Sequence, residues 1–174
     1  HKGVTSIGAR AFNGCVKLKY INLHETSVET IGKCAFAGCK SLEVVKFPPS
    51  LKSIDESAFA VCESLLMINL SACPSLEVID NGAFYNCTSL LAVYFPKSLQ
   101  RIGDFAFDGC YSLISAELPP MVEVDHDYAF RKCYTLELRQ PQVDINSLTD
   151  EQSEERGEES ITWLKVRNDE LPIH

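Results

Sequence analysis

The sequence lacks the segment that a membrane-spanning protein needs. No uncharged apolar run in its 174 residues approaches the roughly 18 residues with which a helix crosses a bilayer, so we expect no insertion into a membrane. Apolar residues nevertheless make up 45% of the chain. That share allows a chain of this length to bury a core as one domain.

Motifs for catalysis are also missing. There is no glycine loop to cradle a phosphate, no G-x-S-x-G and no H-E-x-x-H. His126, which stands between Asp125 and Asp127, is a candidate for a metal or acid–base site. Adjacent side chains on a turn usually diverge, so a solvated turn is the simpler interpretation. The sequence predicts a non-catalytic protein with no cofactor, no metal site and no small-molecule substrate.

Basic residues are scarce. Sixteen Lys and Arg against 24 Asp and Glu give a formal net charge of −8. Residues 1–138 contain 12 basic and 15 acidic side chains, and residues 139–174 contain 4 and 9. A protein that binds nucleic acid needs a continuous basic stripe, and this sequence has none. We therefore expect no nucleic-acid partner.

The chain is built from six copies of one unit, spaced 23 to 25 residues apart. Each copy contains an Ala-Phe pair, then a Cys three residues after the Phe, then a Leu three residues later. The six Phe are Phe12, Phe36, Phe59, Phe84, Phe107 and Phe130. The six Cys are Cys15, Cys39, Cys62, Cys87, Cys110 and Cys133. Five residues before the Phe stands an Ile, except in the sixth copy, where Asp125 breaks the rule.

The spacing within one copy predicts its local structure. Ala11, Cys15 and Leu18 follow the stripe of a short helix that faces inward. Residues from Leu18 to Leu23 alternate between apolar and polar, which is typical of a strand. A second, shorter extended segment surrounds Ile7. One such coil cannot close a core, but stacked coils turn each conserved position into a continuous buried column.

Eight cysteines in 174 residues are too few for a disulfide scaffold. The six cysteines of the repeat would form a column, with neighbours about 4.8 Å apart and side chains parallel. This arrangement would strain a disulfide, and it would not bring four ligands together around a zinc ion. We interpret the six as reduced core residues. Cys34 and Cys73 fall outside the column, so we expect them to be more exposed, with a redox or metal role as the alternative. Serine at a column position should cost more stability than alanine, because its hydroxyl has no assured partner.

The stretch "IGKCAFAGCKSLEVVKFPPSLKSIDESAFAVCESL" resembles leucine-rich repeats of the BspA type, and the resemblance covers residues 3–136. It implies an α/β repeat protein: a right-handed leucine-rich-repeat solenoid with a parallel β-sheet on one face and short helical or 3-10 segments on the other. It also implies a recognition role, since members are often adhesion or host-contact proteins at the cell surface. The resemblance carries no catalytic residues.

We predict three segments: a solenoid of about six coils at residues 1–138, an acidic linker at 139–160, and a short helix or the start of a following module at 161–174. In the sixth copy Arg139 and Pro141 stand where the strand's two apolar residues should be, so we expect this coil to be a polar cap. The final residues 170–174, "ELPIH", resemble the opening of an ankyrin unit. This ending suggests ankyrin-like repeats in a longer protein.

The outward strand positions are the candidate binding residues. They mix aromatic, aliphatic and amide groups with two formal charges, which favours a protein partner, with a glycan possible, over a phosphate backbone. They are Tyr20, Asn22, Val44, Lys46, Met67, Asn69, Ala92, Tyr94, Ser115 and Glu117. The alternative is that these residues merely cover a sheet.

The leading hypothesis is thus a macromolecular-recognition module, and the alternative is a structural spacer or scaffold segment of a larger multidomain protein. The acidic linker and the ankyrin-like ending favour the alternative. Unpaired cysteines are easiest to keep reduced in the cytosol, which gives a slight preference for an intracellular location. The family resemblance points instead to the cell surface.

Overall fold

A computed structural model describes residues 3–124 and 128–139. These residues form twelve short strands, two in each repeat unit, and every strand pairing is parallel. We call the six units coils 1 to 6, in the order of their conserved Phe. A two-residue strand precedes the Phe of each coil, and a three-residue strand follows it.

The two-residue strands are β1 (Ser6–Ile7), β3 (Thr30–Ile31), β5 (Ser53–Ile54), β7 (Val78–Ile79), β9 (Arg101–Ile102) and β11 (Glu123–Val124). The three-residue strands are β2 (Tyr20–Asn22), β4 (Val44–Lys46), β6 (Met67–Asn69), β8 (Ala92–Tyr94), β10 (Ser115–Glu117) and β12 (Glu137–Arg139).

The two-residue strands form one continuous six-stranded sheet in the order β1-β3-β5-β7-β9-β11. Its strands follow the order of the coils, so each coil lies directly on the one before it. The conserved Ile of neighbouring coils are paired in register, as Ile31 is with Ile54. These observations confirm the predicted solenoid with parallel strands.

The three-residue strands are divided between two sheets. Strands β2 and β4 pair with each other, and β6, β8, β10 and β12 form a separate four-stranded sheet. The parallel sheet that the three-residue strands were predicted to form on one face of the solenoid is therefore present in two parts, with an interruption between coils 2 and 3.

The predicted helical or 3-10 segments are not found in residues 3–124 and 128–139. The residues around each conserved Phe instead form a series of tight turns, which we call the turn segment (residues 55–62 in coil 3). Hydrogen bonds there run from an N–H to the carbonyl three residues earlier, as from Ala58 to Asp55 and from Ala60 to Ser57. The helix was predicted from the spacing of buried apolar residues, and successive turns bury residues at the same spacing. For this reason the prediction of a helix was wrong.

Left-handed residues interrupt every turn segment and prevent a helix. They stand two residues before and two residues after the Phe, and their φ angles lie between 55° and 75°. The residues before the Phe are Arg10, Cys34, Ser57, Gly82 and Phe105, and those after it are Gly14, Gly38, Val61, Asn86, Gly109 and Lys132. An α-helix requires negative φ at each residue, so these left-handed residues exclude one. Alternate N–H groups of the turn segment bond within their own coil, and the N–H groups between them point toward the next coil.

Those N–H groups hydrogen-bond the next coil, and we call the resulting series the turn ladder. The Phe N–H of each of coils 1 to 5 donates to the carbonyl of the conserved Ala in the following coil, at 2.7 to 2.8 Å. The left-handed residues extend the ladder on both sides, as in the bonds from Ser57 to Asn81 and from Val61 to Tyr85. Consecutive coils are thus joined by backbone hydrogen bonds in their turns as well as in their strands.

The core consists of side-chain columns that follow from this stacking. The conserved Phe rings stack on one another, with centroids 5.0 to 5.4 Å apart and ring planes within 11° of parallel. In coils 2 to 5 the conserved Ala, Phe, Cys and Leu are completely buried. In coil 1, which has one described neighbour, Phe12 and Cys15 are exposed.

The sixth coil is more regular than the sequence suggested. Val124, and not Asp125, pairs with Ile102, so an apolar residue still occupies the Ile position. Strand β12 also forms, with Leu138 opposite Ala116 and Arg139 opposite Glu117. Both strands of this coil start one position earlier than a fixed count from Phe130 places them, which is why that count put Asp125 and Arg139 at apolar positions. That this coil is a polar cap stays a prediction.

The other terminal predictions lie outside the described residues. This holds for the histidine candidate at 125–127, for the acidic linker beyond Arg139, and for the segment 161–174 with its ankyrin-like ending. Within the described part of the chain, no helix is long and apolar enough to cross a membrane.

The turn ladder makes a prediction about glycine. Gly38 has a φ of 72° and donates to Ala60, and a Cβ added there would meet no atom closer than 3.8 Å. Gly38→Ala should therefore lower the free energy of unfolding by about 1 kcal/mol through backbone strain alone. Gly8→Ala, where a Cβ also meets open space but φ is not positive, is the matched control and should cost less than about 0.5 kcal/mol. An equal loss of unfolding free energy in the two variants, measured by urea denaturation, would contradict the turn ladder.

Candidate interaction surface

The ten predicted binding residues all lie on three-residue strands, where they flank a central residue that points into the core. In β6, for example, Met67 and Asn69 are exposed while Ile68 between them is buried. Eight of the ten are exposed, and Ala92 and Ser115 are half-buried. We call the surface that these ten residues form the strand face.

Strand register determines which of these residues are neighbours. Asn69, Tyr94 and Glu117 are adjacent in register on the four-stranded sheet. Tyr20 lies opposite Val44 on the two-stranded sheet. The interruption between β4 and β6 separates the four predicted residues of coils 1 and 2 from the six of coils 3 to 5.

A column of apolar residues beside the strand face was not predicted. Leu66, Leu91 and Ile114 immediately precede β6, β8 and β10, and they are 48%, 45% and 54% exposed. Backbone hydrogen bonds join them, from Leu91 to Leu66 and from Ile114 to Leu91. Each directly follows the repeated, buried Leu, which is the one signal in the sequence. Strict alternation does not predict their exposure, because Met67, Ala92 and Ser115 come next and also lie on the outer side. With Met67, which is 51% exposed, these three form what we call the apolar patch.

The charge on this surface is low. Of the ten predicted residues, Lys46 and Glu117 carry formal charges. In coils 1 and 2 the positions equivalent to Leu66 hold Lys19 and Glu43, whose charged groups lie 3.9 Å apart at the surface. A pair this exposed contributes little to stability. The apolar character is therefore concentrated on coils 3 to 5.

The described residues contain no group of three or more His, Cys, Asp and Glu side chains that could hold a metal ion. His24 is exposed, and its backbone N–H donates to Asn22 Oδ1 at 3.1 Å.

The column cysteines form a hydrogen-bonded ladder of their own. Each Sγ from coil 2 onward lies 3.1 to 3.3 Å from the carbonyl oxygen of the Phe in the preceding coil, in donor geometry. The pairs are Cys39 with Phe12, Cys62 with Phe36, Cys87 with Phe59, Cys110 with Phe84 and Cys133 with Phe107. All eight cysteines of the chain are described, and no disulfide joins any of them. The column cysteines thus pack in the core and also bond one coil to the next.

Cys73 does not match the prediction of an exposed thiol. It is 1% exposed, and its Sγ donates to the Pro48 carbonyl at 3.4 Å, because the longer turn of coil 3 folds back over the core. Burial raises the pKa of Cys73 to about 11 and that of Cys62 to about 12. Both stay protonated at neutral pH, whereas nucleophilic and metal-binding cysteines are thiolates. Cys34 is half-buried, as its position outside the column suggested.

A family model described as the BspA type leucine rich repeat region matches residues 5–137 with six copies. The match covers every coil and ends within β12. It extends over most of the chain, and the number of copies equals the number of coils.

Solved structures of bacterial leucine-rich repeat proteins are similar to this chain. A T. pallidum protein is 31% identical with a TM-score of 0.72, over 92% of this chain and 77% of its own. A protein of Bacteroides ovatus is 32% identical with a TM-score of 0.53, over 79% of this chain. One of Eubacterium ventriosum is 25% identical with a TM-score of 0.67, over 81% of this chain. This chain spans 41% and 37% of the latter two. No curated protein matches.

The cysteine ladder changes the expected effect of serine. In Cys87→Ser the new hydroxyl finds the Phe59 carbonyl that the thiol bonds at 3.3 Å, so it does not lack a partner. Cys87→Ala and Cys87→Ser should each lower the free energy of unfolding by about 1–2 kcal/mol, with serine no worse than alanine. Cys15→Ser, at an exposed site, is the control and should have little effect.

Reductant should leave the melting temperature unchanged. A much larger loss for serine, or a loss on adding reductant alone, would contradict this account.

Proposed function

The chain belongs to the BspA-type leucine-rich repeat family, and we propose that it is a non-catalytic recognition module that binds a protein partner on its strand face. Leucine-rich repeat proteins generally serve in protein interaction or as scaffolds. The specific surface, the class of partner and the non-catalytic role are the parts that we propose for this chain.

The apolar patch is the observation that carries this proposal. Leu66, Met67, Leu91 and Ile114 are each about half exposed and lie next to one another on coils 3 to 5. Large contiguous apolar patches are uncommon on monomeric proteins and mark interaction sites. Tyr94, an aromatic residue of the type enriched in interfaces, lies on β8, one of the two inner strands of the same sheet.

The chemistry of the strand face favours protein over other partners. A nucleic acid would require basic side chains, and Lys46 is the one such residue among the ten. A small molecule is generally bound in a concave pocket rather than on an open row of strands. A glycan remains the second candidate, because Tyr20 and Tyr94 offer rings and Asn22 and Asn69 offer amides. We propose no insertion into a membrane and no cofactor.

A structural spacer or scaffold segment in a larger protein is the alternative function. It is supported by the greater length of two relatives, of which this chain spans less than half. In that case the strand face would merely cover the sheet, and its substitution would have no effect on partner binding.

Two further features complete the proposal. The coils wind right-handed, as parallel strands joined by a crossover generally do.

Cysteines that form no disulfide suit a reducing, intracellular compartment, with the cell surface as the alternative. Fractionation of the natural source with an antibody to this chain would separate the two locations, and recovery at the cell surface would overturn the first.

The binding proposal is tested by quantitative capture of partner from the natural source. We expect Leu91→Ser, Tyr20→Ala and Tyr94→Ala to reduce capture, with at least a tenfold loss for Leu91→Ser and Tyr94→Ala together, as for central interface residues. Because these side chains are exposed, the melting temperature should change little.

Lys52→Ala is the matched control for this experiment. Lys52 precedes a two-residue strand, away from the strand face, and pairs with Glu29 at 2.8 Å on the surface. It should leave capture intact. Undiminished capture by Leu91→Ser, Tyr20→Ala and Tyr94→Ala alike would reject the proposal and leave the spacer function.

A further inference from the structure

Coil 1 exposes column residues that coils 2 to 5 bury. Phe12 is 37% exposed and Val4 is 43% exposed, whereas their counterparts in those coils are buried. Ala11 and Cys15 of the same coil are exposed as well. We call the surface that these four residues form the open face. Its residues belong to the core columns, so it is distinct from the strand face, whose residues point outward from the sheet.

Coil 1 has the sequence of an interior coil and not that of a cap. Terminal coils of a solenoid are usually atypical and present a polar outer face, because an uncovered end exposes apolar columns and unpaired strand groups. Coil 1 instead keeps the complete repeat motif, which comprises Ile7, Ala11, Phe12, Cys15 and Leu18. Its chemistry therefore suits a position between two coils.

The backbone of coil 1 offers acceptors at the positions of the turn ladder. In coil 2, three alternate carbonyls accept N–H groups from coil 1, the central one being that of Ala35. The corresponding carbonyls of coil 1 are those of Ala9, Ala11 and Asn13, and among residues 3–124 and 128–139 no N–H donates to them. The turn segment of a preceding coil supplies donors at this spacing, because alternate N–H groups of each turn segment point toward the next coil.

The interfaces between the described coils indicate what fits such a face. In coil 2, the face that corresponds to the open face is covered by coil 1. The Phe36 ring stacks on the Phe12 ring at 5.0 Å, and Cys39 Sγ donates to the Phe12 carbonyl at 3.1 Å. A coil placed before coil 1 would make the same contacts with Phe12 and Cys15.

A second copy of the chain fits the open face poorly. Two open faces placed against each other would oppose carbonyl to carbonyl, and residues 3–24 carry three basic side chains and no acid, so their charges would repel. Coil 6 of another copy offers no open column in return, since Phe130 is 5% exposed and Ala129 is fully buried. The fitting occupant is therefore a coil of the same polypeptide.

We propose that coil 1 is an interior coil and that a further coil of the same repeat, which precedes it in the polypeptide, covers the open face. The Phe of that coil stacks on Phe12, its alternate N–H groups donate to the three carbonyls of coil 1, and Cys15 donates to its Phe carbonyl. The solved relatives of Bacteroides ovatus and Eubacterium ventriosum, of which this chain spans 41% and 37%, are long enough for further coils. The proposal does not depend on the function of the strand face.

The first test is the amino-acid sequence that precedes residue 1 in the natural polypeptide. We expect an Ala-Phe pair whose Phe lies 23 to 25 residues before Phe12, with a Cys three residues after that Phe and a Leu three residues later, as in the other coils. A preceding sequence without this motif, or one too short to contain it, would overturn the proposal.

The second test measures the cover through Cys15. Mass spectrometry gives the rate at which iodoacetamide alkylates each cysteine, both in the chain of residues 1–174 and in the natural polypeptide that includes the preceding coil. We expect Cys15 to react at least about tenfold more slowly in the longer chain, because a buried thiol reacts only when the structure opens. Cys34, which is half-buried and outside the column, is the internal control and should react equally in both.

Serine in place of the Phe of the preceding coil should restore the alkylation of Cys15 in the longer chain. Continued protection of Cys62, which is completely buried, will show that the remaining coils stay folded. Val44→Ser, at an exposed position of the strand face, is the matched control and should leave the protection of Cys15 intact.

Three results of the alkylation experiment would contradict the proposal. These are equal rates for Cys15 in the two chains, unchanged protection after the serine substitution, or protection in the chain of residues 1–174 that increases with protein concentration, which would assign the open face to a second copy. Loss of partner capture in the strand-face variants bears on the other surface alone, so the two proposals fail separately.

Discussion

Backbone hydrogen bonds between consecutive coils are the interaction on which the rest of the structure depends. They occur along both strands and, in the turn ladder, along the turn segment as well. The three-residue strands are unpaired between coils 2 and 3, but the two-residue strands and the turn segments bond each coil to the next at equivalent positions, so equivalent side chains are stacked a short distance apart. The conserved Phe rings meet at 5.0 to 5.4 Å for this reason. From coil 2 onward, the small Ala beside each Phe accepts the ladder bond, and each column Cys reaches the Phe carbonyl of the coil before it.

Much of this architecture could be predicted from the sequence, because the repeat fixes which positions are buried. The Ile, Phe, Cys and Leu columns lie in the core as expected. The turn segment could not be predicted in the same way, since Ala58 and Cys62 face inward in a helix and in successive turns alike. Left-handed backbone is usually signalled by glycine, and here Val61 and Ser57 adopt it because the ladder holds them there.

The candidate surfaces show the same limit. Outward strand positions follow from alternation, so the exposure of Met67 and Tyr94 was predictable. Leu91 precedes its strand, and its exposure depends on how the chain enters the sheet. The apolar patch depends on three coils at once, because Leu66, Leu91 and Ile114 are neighbours only through the register between coils. Properties of one coil can be read from the sequence, whereas properties of a column require the register between coils.

The most direct test of this account is detection of scalar coupling across the hydrogen bonds of the turn ladder by NMR. We expect a coupling between the backbone nitrogen of Phe59 and the carbonyl carbon of Ala83 in the next coil, because Phe59 N and Ala83 O lie 2.7 Å apart. A coupling from Phe59 to the carbonyl of Asp55, four residues earlier in the same coil, would show a helix and contradict the ladder.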